Sequence, residues 1–283
     1  MNVGFIGNGR ICRAFSAYIS GHGAKITGKF GKNDFYSDYS RGEVDVKNLV
    51  QLAESCDILF ITTPDDTISH IAGILAASGA QLNSRIVAHM SGSLPSGEMS
   101  ALSGKCGGLY SLHPMTSITG EPLDFSKVRH TLEGEGENEH VMLAFLSQSN
   151  LFYTRISAEN KLLYHAASCI CANYAVTLID IAQQILKDIG FNDDTAPALL
   201  MPLMRQVLTN VEKKDPAKAL TGPISRGDIN TLAKHLAALG EYGRYEDLYR
   251  LLGIYTADLS LAAGNITNEK AEEIQRIMRA KDK

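Results

Sequence analysis

Met1-Asn-Val3-Gly-Phe-Ile6-Gly7-Asn8-Gly9-Arg10-Ile11-Cys12 opens the chain, and its reading decides the fold. Val3 to Ile6 is a short apolar run with the look of a strand, and Gly7-Asn8-Gly9 ends it. Helical spacing follows at once, with Ile11, Ala14, Phe15, Tyr18 and Ile19 on one face. Gly21-His22-Gly23 stops that helix, as glycine often does at a helix C-terminus.

Working outward, Lys25 to Phe30 reads as a second strand. Asp57 to Thr62 is an almost uninterrupted apolar strand, of the kind buried in parallel sheets covered on both faces. A helix is expected from Thr67 to Ala77, then strands at Arg85–His89 and Leu109–Leu112. This alternation predicts an α/β, doubly wound Rossmann domain over residues 1–152. After residue 155 the texture becomes helical. Ser157 is placed to cap a helix with Glu159 in its first turn, running to Ile189 before Gly190 and about 45 Å long. Further helices are expected at 193–212, with Pro202 kinking it, and at 228–239, 245–263 and 268–280. Residues 153–283 are therefore expected to form an all-helical C-terminal domain. Glu133 to Glu139 reads as a solvated turn, and Glu269 to Lys283 as a solvated helix.

A length of 283 residues leaves room for both domains. The balance of 27 basic against 31 acidic side chains gives no reason to expect nucleic acid or an anionic membrane as partner. Five scattered cysteines do not make a disulfide framework. No basic segment precedes the first strand and no apolar run approaches the ~20 residues that span a bilayer, so the cytoplasm is the expected location.

The glycine turn points to a dinucleotide. Gly7 permits the tight turn, and Gly9 lets the backbone approach a pyrophosphate lying over the helix that Arg10 and Ile11 begin. Asn8 sits between them. The third position of the fingerprint carries Cys12 instead of glycine or alanine, small enough for close packing but a departure. The second strand ends in Gly28-Lys29-Phe30-Gly31-Lys32-Asn33, without the acidic residue that binds a ribose 2′-hydroxyl. Lys32, with Lys29 or Asn33, suits a 2′-phosphate, which favours NADP(H); Asp34 nearby weighs the other way, and surface lysines solvate in any case. Thr62, Thr63 and Pro64, and then Ser91 with Gly92 and Ser93, end two strands at the edge where ligands bind.

Leu112-His-Pro-Met115 is similar to a segment of prephenate and arogenate dehydrogenases, whose histidine bonds the substrate hydroxyl. A longer resemblance covers nearly the whole chain. With Tyr164-His-Ala-Ala-Ser-Cys-Ile-Cys-Ala-Asn-Tyr174 and Ala219-Leu-Thr-Gly-Pro-Ile-Ser-Arg-Gly-Asp228, the chain resembles a bacterial family of Rossmann-like proteins with a helical C-terminal domain of long-unassigned function. Members look like alternative-type ketopantoate reductases of the phosphogluconate-dehydrogenase-like superfamily. That resemblance implies NADPH, a small 2-oxo acid, pantothenate synthesis and a homodimer through the helical domain.

Reducing a ketone leaves an alkoxide, which needs a proton donor or a positive charge at the oxygen. His113, Lys161 and His165 are the candidates, the last two one helical turn apart. Each also has a bland reading: a braced His-Pro turn, an exposed lysine, a hydrogen-bonded core histidine. Asn173, Thr221 and Arg226 are the candidate substrate contacts, Arg226 as a fork for a carboxylate. Arg226 is equally read as pairing with Asp228, which suits a helix N-cap. His165 and Cys169 lack a third ligand in register, so no metal is expected. Against the reductase stand a prephenate- or arogenate-type dehydrogenase and a non-catalytic NADP(H)-sensing protein.

Overall fold

The computed structural model describes residues 1–31, 36–38 and 43–280. The chain divides into two compact units, Met1–Tyr174 and Ala175–Lys283. The sequence set its division at 152/153. Residues 153–174 go with the first unit because Lys161 is fully buried there, its ammonium held by Ser91 and Ser111.

The first unit contains strands β1 (Asn2–Ile6), β2 (Lys25–Phe30), β3 (Tyr36–Asp38), β4 (Glu43–Val44), β5 (Ile58–Ile61), β6 (Leu82–His89), β7 (Cys106–Pro114), β8 (Arg129–Glu135) and β9 (Phe152–Arg155). Its helices are α1 (Arg10–Gly21), α2 (Val46–Ser55), α3 (Asp65–Ala77), α4 (Glu139–Gln148) and α5 (Lys161–Cys171). Seven strands form one sheet in the order β2-β1-β5-β6-β7-β8-β9, while β3 and β4 pair separately. From β2 to β7 every neighbour is parallel; β8 runs antiparallel to β7, and β9 parallel to β8. The chain leaves β1 for β2 on one side and returns to β5 on the other. That reversal is a topological switch point, where ligands lodge in open α/β sheets.

Period-two alternation explains why the strands are apolar throughout. Phe5, Ile58 and Phe60 join one core with Phe15 of α1 and Phe145 of α4. Ile6, Leu59 and Ile61 join the other with Leu49 and Leu52 of α2 and Ile71 of α3. Phe60 stacks on Phe5 at 5.6 Å between centroids and meets Phe15 edge-on at 5.5 Å. Each such ring stabilises by about 1.5–3 kcal/mol through burial.

Several expectations need correction. Glu133–Glu135 end strand β8 instead of forming a solvated turn, and Glu133 is buried because its carboxylate accepts from Ser96 N at 2.6 Å and Ser96 Oγ at 2.9 Å. The long helix is divided by single residues. Ser157 leads into a 3-10 turn, Ala158–Asn160, without its side chain accepting a cap hydrogen bond, and α5 is parted from α6 (Asn173–Asp188) only by Ala172, which keeps right-handed helical angles at φ −101° and ψ −60°. Neither proline nor glycine marks that break.

The second unit continues with α7 (Thr195–Lys213), α8 (Pro216–Ala219), α9 (Ile229–Leu239), α10 (Gly243–Ala262) and α11 (Asn268–Arg279). Helix α7 runs on through Pro202. Leu232 and Leu236 of α9 pack with Ala257 of α10 and with Ile274 and Met278 of α11. The C-terminal helix is thus amphipathic and half-buried, not merely solvated. Arg250 ties it down, donating to Ile277 O at 2.8 Å while Glu246 neutralises it.

Large apolar side chains stand exposed on the helices after residue 160, among them Leu162, Leu163 and Ile170, and the four-residue row Leu199, Leu203, Val207, Val211 of α7. One helical stretch, Ala158–Asp188, is long and apolar enough to cross a membrane by length and composition. The search for apolar runs missed it, because Lys161, His165, Ser168, Asn173 and Asp180 interrupt the stretch while its mean hydropathy stays high.

Candidate functional site at the carboxyl edge of the sheet

Register brings the expected segments to one edge. Ile6 pairs with Ile61, Ile61 with His89, and His89 with Ser111. The residues that follow are Gly7–Gly9, Thr62–Asp65, Met90–Ser93 and Leu112–His113.

Gly7 adopts a φ of +106°, and a Cβ there would lie 2.6 Å from the carbonyl carbon and oxygen of Thr62, so only glycine turns here without strain. Thr62 spends its hydroxyl on Ile6 O and Gly7 O, bracing the turn. Gly9 is extended, and a Cβ on it would meet nothing within 4 Å. No side chain caps α1, so its first amides stand open beside the exposed Asn8, Gly9 and Arg10 and the half-buried Ile11. Thr63 Oγ1 is buried without a hydrogen-bond partner, next to the exposed Pro64. Open amides, a side-chain-free approach and an orphaned hydroxyl fit the pyrophosphate and ribose of a dinucleotide. Lys29 is exposed at the end of β2, whereas Lys32, Asn33 and Asp34 lie outside the described residues.

The loop after β6 is held from three sides. Ser91 Oγ and Ser93 Oγ donate to Asp65 Oδ2 at 2.7 and 2.9 Å. His89 accepts from Ser91 N through Nδ1 and contacts Pro95 O through Nε2 at 3.0 Å, which fixes its proton on Nε2. Burial pushes the His89 imidazole down to about 4, so it stays neutral. Glu133 anchors Ser96 below.

Under this loop lies a cluster of ionisable groups. Lys161 opens α5, fully buried; its Nζ donates to Ser111 Oγ at 2.7 Å and Ser91 O at 3.2 Å. Burial lowers this ammonium to about 8, although Glu133 and Asp65 pull it upward. His113 Nδ1 meets Tyr164 OH at 2.8 Å. Burial, then the charge of Lys161 and the neighbouring His165, hold His113 down at about 4. His165 Nδ1 is buried with no partner, and its Nε2 faces Cys169 Sγ at 3.8 Å. The two imidazoles converge on Gly92: a Cβ there would stand 2.6 Å from His165 Nδ1 and 2.9 Å from His113 Nε2. A neutral imidazole beside a buried ammonium can polarise a carbonyl oxygen and supply a proton to it.

Of the expected site residues, the structure gathers His113, Lys161, His165 and Ser91 in one cluster, with Lys161 beneath the loop instead of exposed. Asn173 opens α6 and is exposed. Thr221 and Arg226 belong to the second unit, both exposed, and Arg226 ends a 3-10 turn closed by Gly227 at φ +66°. Asp228 caps α9 as expected, accepting from Thr231 N at 3.0 Å. Among the described residues no three of His, Cys, Asp and Glu are grouped to hold a metal. Sequence reasoning placed Asp65 and Gly92 at the ligand edge without giving either a role, and it missed Ser111 and Tyr164. Tyr164 stood inside a quoted motif, one residue from His165, but nothing local connects it to His113, fifty-one residues earlier.

Residues 128–256 match a family model described as a domain of unknown function, DUF2520. Among curated proteins, none matches the chain. Similar solved structures include a candidate NADP oxidoreductase from Bacteroides fragilis, at 18% identity over 97% of this chain and 98% of that one, with a TM-score of 0.68. A Thermotoga maritima protein is 22% identical over 98% and 100% of the two chains, with a TM-score of 0.59. Pyrroline carboxylate reductase of Plasmodium falciparum, solved with NADP bound, is 14% identical over 97% and 98%, with a TM-score of 0.56. At these identities the likeness shows the fold, and it spans nearly the full length of each chain: a Rossmann-like domain followed by helices.

Proposed function

We propose that this chain is an NADP(H)-dependent oxidoreductase that reduces a small 2-oxo acid, with ketopantoate, reduced to pantoate, as the leading substrate. The observation that carries this reading is the placement of His113 and His165 around Gly92, on the same sheet edge as the uncapped glycine turn. NADPH supplies the hydride when bound. Gly7, Asn8, Gly9, Arg10 and Ile11 would hold its pyrophosphate, Thr63 and Pro64 its nicotinamide ribose, and Lys29 with Lys32 its 2′-phosphate.

His113 is the group assigned to the carbonyl oxygen. Being neutral at pH 7, it acts as a hydrogen-bond donor that stabilises the developing alkoxide, and if Nε2 hands over its proton, Nδ1 takes one from the Tyr164 hydroxyl, which is restored from solvent. Lys161 works from behind, as a buried cation that keeps His113 neutral and fixes the Ser91 carbonyl. His165 borders the same oxygen, and Asn173 is assigned to a polar end of the substrate.

The exposed apolar row of α7 suits a second copy of the chain, which would make a cytoplasmic homodimer through the helical unit. Light scattering of the purified protein, with Leu203→Glu as the disrupting variant, checks this. A monomer at micromolar concentration, or a protein recovered only with lipid, sinks it.

The direct test is NADPH oxidation with ketopantoate, beside NADH and other 2-oxo acids. Turnover with ketopantoate and NADPH above the panel is the expected result. NADPH binding without turnover on any oxo acid would favour the sensing protein; oxidation of prephenate or arogenate would favour the dehydrogenase.

A further inference from the structure

His113 has two nitrogens and, when neutral, one proton. Which nitrogen carries it decides whether the imidazole can donate toward Gly92 at all. Nδ1 lies 2.8 Å from Tyr164 OH, and Nε2 lies on the Gly92 side. Two arrangements satisfy the Nδ1 contact. In one, the phenol donates to Nδ1 and the imidazole proton sits on Nε2. In the other, Nδ1–H donates to the phenol oxygen, and the phenol must place its own proton elsewhere.

The surroundings choose between them. Thr131, the cross-strand partner of His113, borders the phenol and opposes the upward shift that burial gives it, yet Thr131 Oγ1 makes no hydrogen bond of acceptable geometry. A half-buried phenol without a protein acceptor gives up a hydrogen bond. Donation to His113 Nδ1 removes that cost and leaves the ring edge-on to Tyr164 at 5.6 Å between centroids. The charged and titratable groups around His113 are Lys161 and His165 on α5, His130 on β8 and Asp65 on α3. Of its nitrogen contacts, Tyr164 alone engages Nδ1.

We propose that Tyr164 is a positioning residue, which donates to His113 Nδ1 and locks the imidazole as the Nε2–H tautomer that faces Gly92 and His165. The inference rests on the reductase reading for its purpose, but not for its test.

Imidazole nitrogen–proton correlation spectra of the 15N-labelled protein read tautomers directly. With only eight histidines, His113 is assigned by the signal lost in His113→Gln. The wild type is expected to show one Nε2–H form for His113, and Tyr164→Phe a mixture of both tautomers. The His235 signals of the second unit, where His235 Nδ1 meets Tyr249 OH at 2.8 Å, stay unchanged and report folding. In turnover, Tyr164→Phe should lower kcat roughly 5- to 10-fold with little change in the KM for NADPH. A wild-type Nδ1–H form overturns the proposal whether or not the variant folds, and a tautomer unmoved in folded Tyr164→Phe overturns it as well. An Nε2–H form without any oxo-acid turnover instead defeats the reductase reading and leaves the positioning intact.

Discussion

Lys161 Nζ donates to Ser111 Oγ at 2.7 Å, so an ammonium group without solvent exposure joins the first turn of α5 to the middle of β7. Ser111 Oγ passes a hydrogen bond on to Ser91 O at 3.1 Å, which Lys161 also reaches. Truncating the lysine leaves both oxygens short of a partner and opens a cavity. Lys161→Ala is expected to lose about 2–4 kcal/mol in urea unfolding, and Lys161→Met roughly half of that because it keeps the volume. The sign with pH follows from burial. The folded ammonium titrates at about 8 and the unfolded one at 10.5, so the unfolded chain holds more protons between them and stability rises with pH. The gap between wild type and Lys161→Met should therefore widen above pH 8. A gap flat from pH 7 to 10 would mean the lysine is not confined as described.

Gly7 and Gly9 make opposite predictions from one motif. A Cβ on Gly7 would strike the Thr62 backbone at a positive φ, so Gly7→Ala should lose stability, by roughly 2–3 kcal/mol or more. A Cβ on Gly9 meets nothing, and its φ of −77° suits any residue. Gly9→Ala should keep its melting temperature within a degree or two and lose NADPH affinity, on the order of tenfold or more, read by fluorescence titration. Unaltered NADPH affinity in Gly9→Ala would remove the pyrophosphate from this turn.

The contrast shows what the sequence could carry. Glycines, strand runs and helix faces are local signals, and from them the sheet, the glycine turn, His113 and the Asp228 cap were legible. Residues whose role depends on partners far along the chain were not. Glu133 looked like part of a polar turn until β8 paired with β7 and buried it against Ser96. Tyr164 gained its meaning only when α5 packed over β7. The helix periodicity runs straight through Ala172, and so nearly does the helix, which only loosens there. Lys161 was found by its spacing from His165, but spacing could not tell a lysine at the cleft surface from one sealed beneath a loop.

Gly92 is the narrowest place in the cluster. A methyl group there would stand 2.6 Å from His165 Nδ1 and 2.9 Å from His113 Nε2, so one or both rings must move. Gly92→Ala is expected to fold, with a loss of about 1–3 kcal/mol. Its kcat should fall by about 100-fold, since a shift of an ångström at a reacting group costs that much. The kinetics separate this from a simple stability effect, because the KM for NADPH depends on the glycine turn and should hold. An enzyme that keeps its kcat in Gly92→Ala would show that the two imidazoles do not share the reacting oxygen.

His89 sets the acid limit of the same loop. It is fully buried, accepts from Ser91 N and donates to Pro95 O, an arrangement that a second proton destroys. Its folded pKa of about 4 lies below the 6.5 of an exposed imidazole. Between those values the unfolded chain binds a proton that the folded one refuses, so stability falls as pH drops from 6.5 toward 4. The loss approaches on the order of 3 kcal/mol from this residue. His89→Gln keeps the donor to Pro95 but cannot titrate. It should be less stable than wild type at pH 7 by about 1 kcal/mol and lose less on acidification, so that the two stability curves cross at about pH 5.7 and the variant is the more stable below it. Parallel losses in wild type and His89→Gln down to that pH would assign the acid sensitivity to another group, with His113 next in line because its pKa is lowered for the same reason.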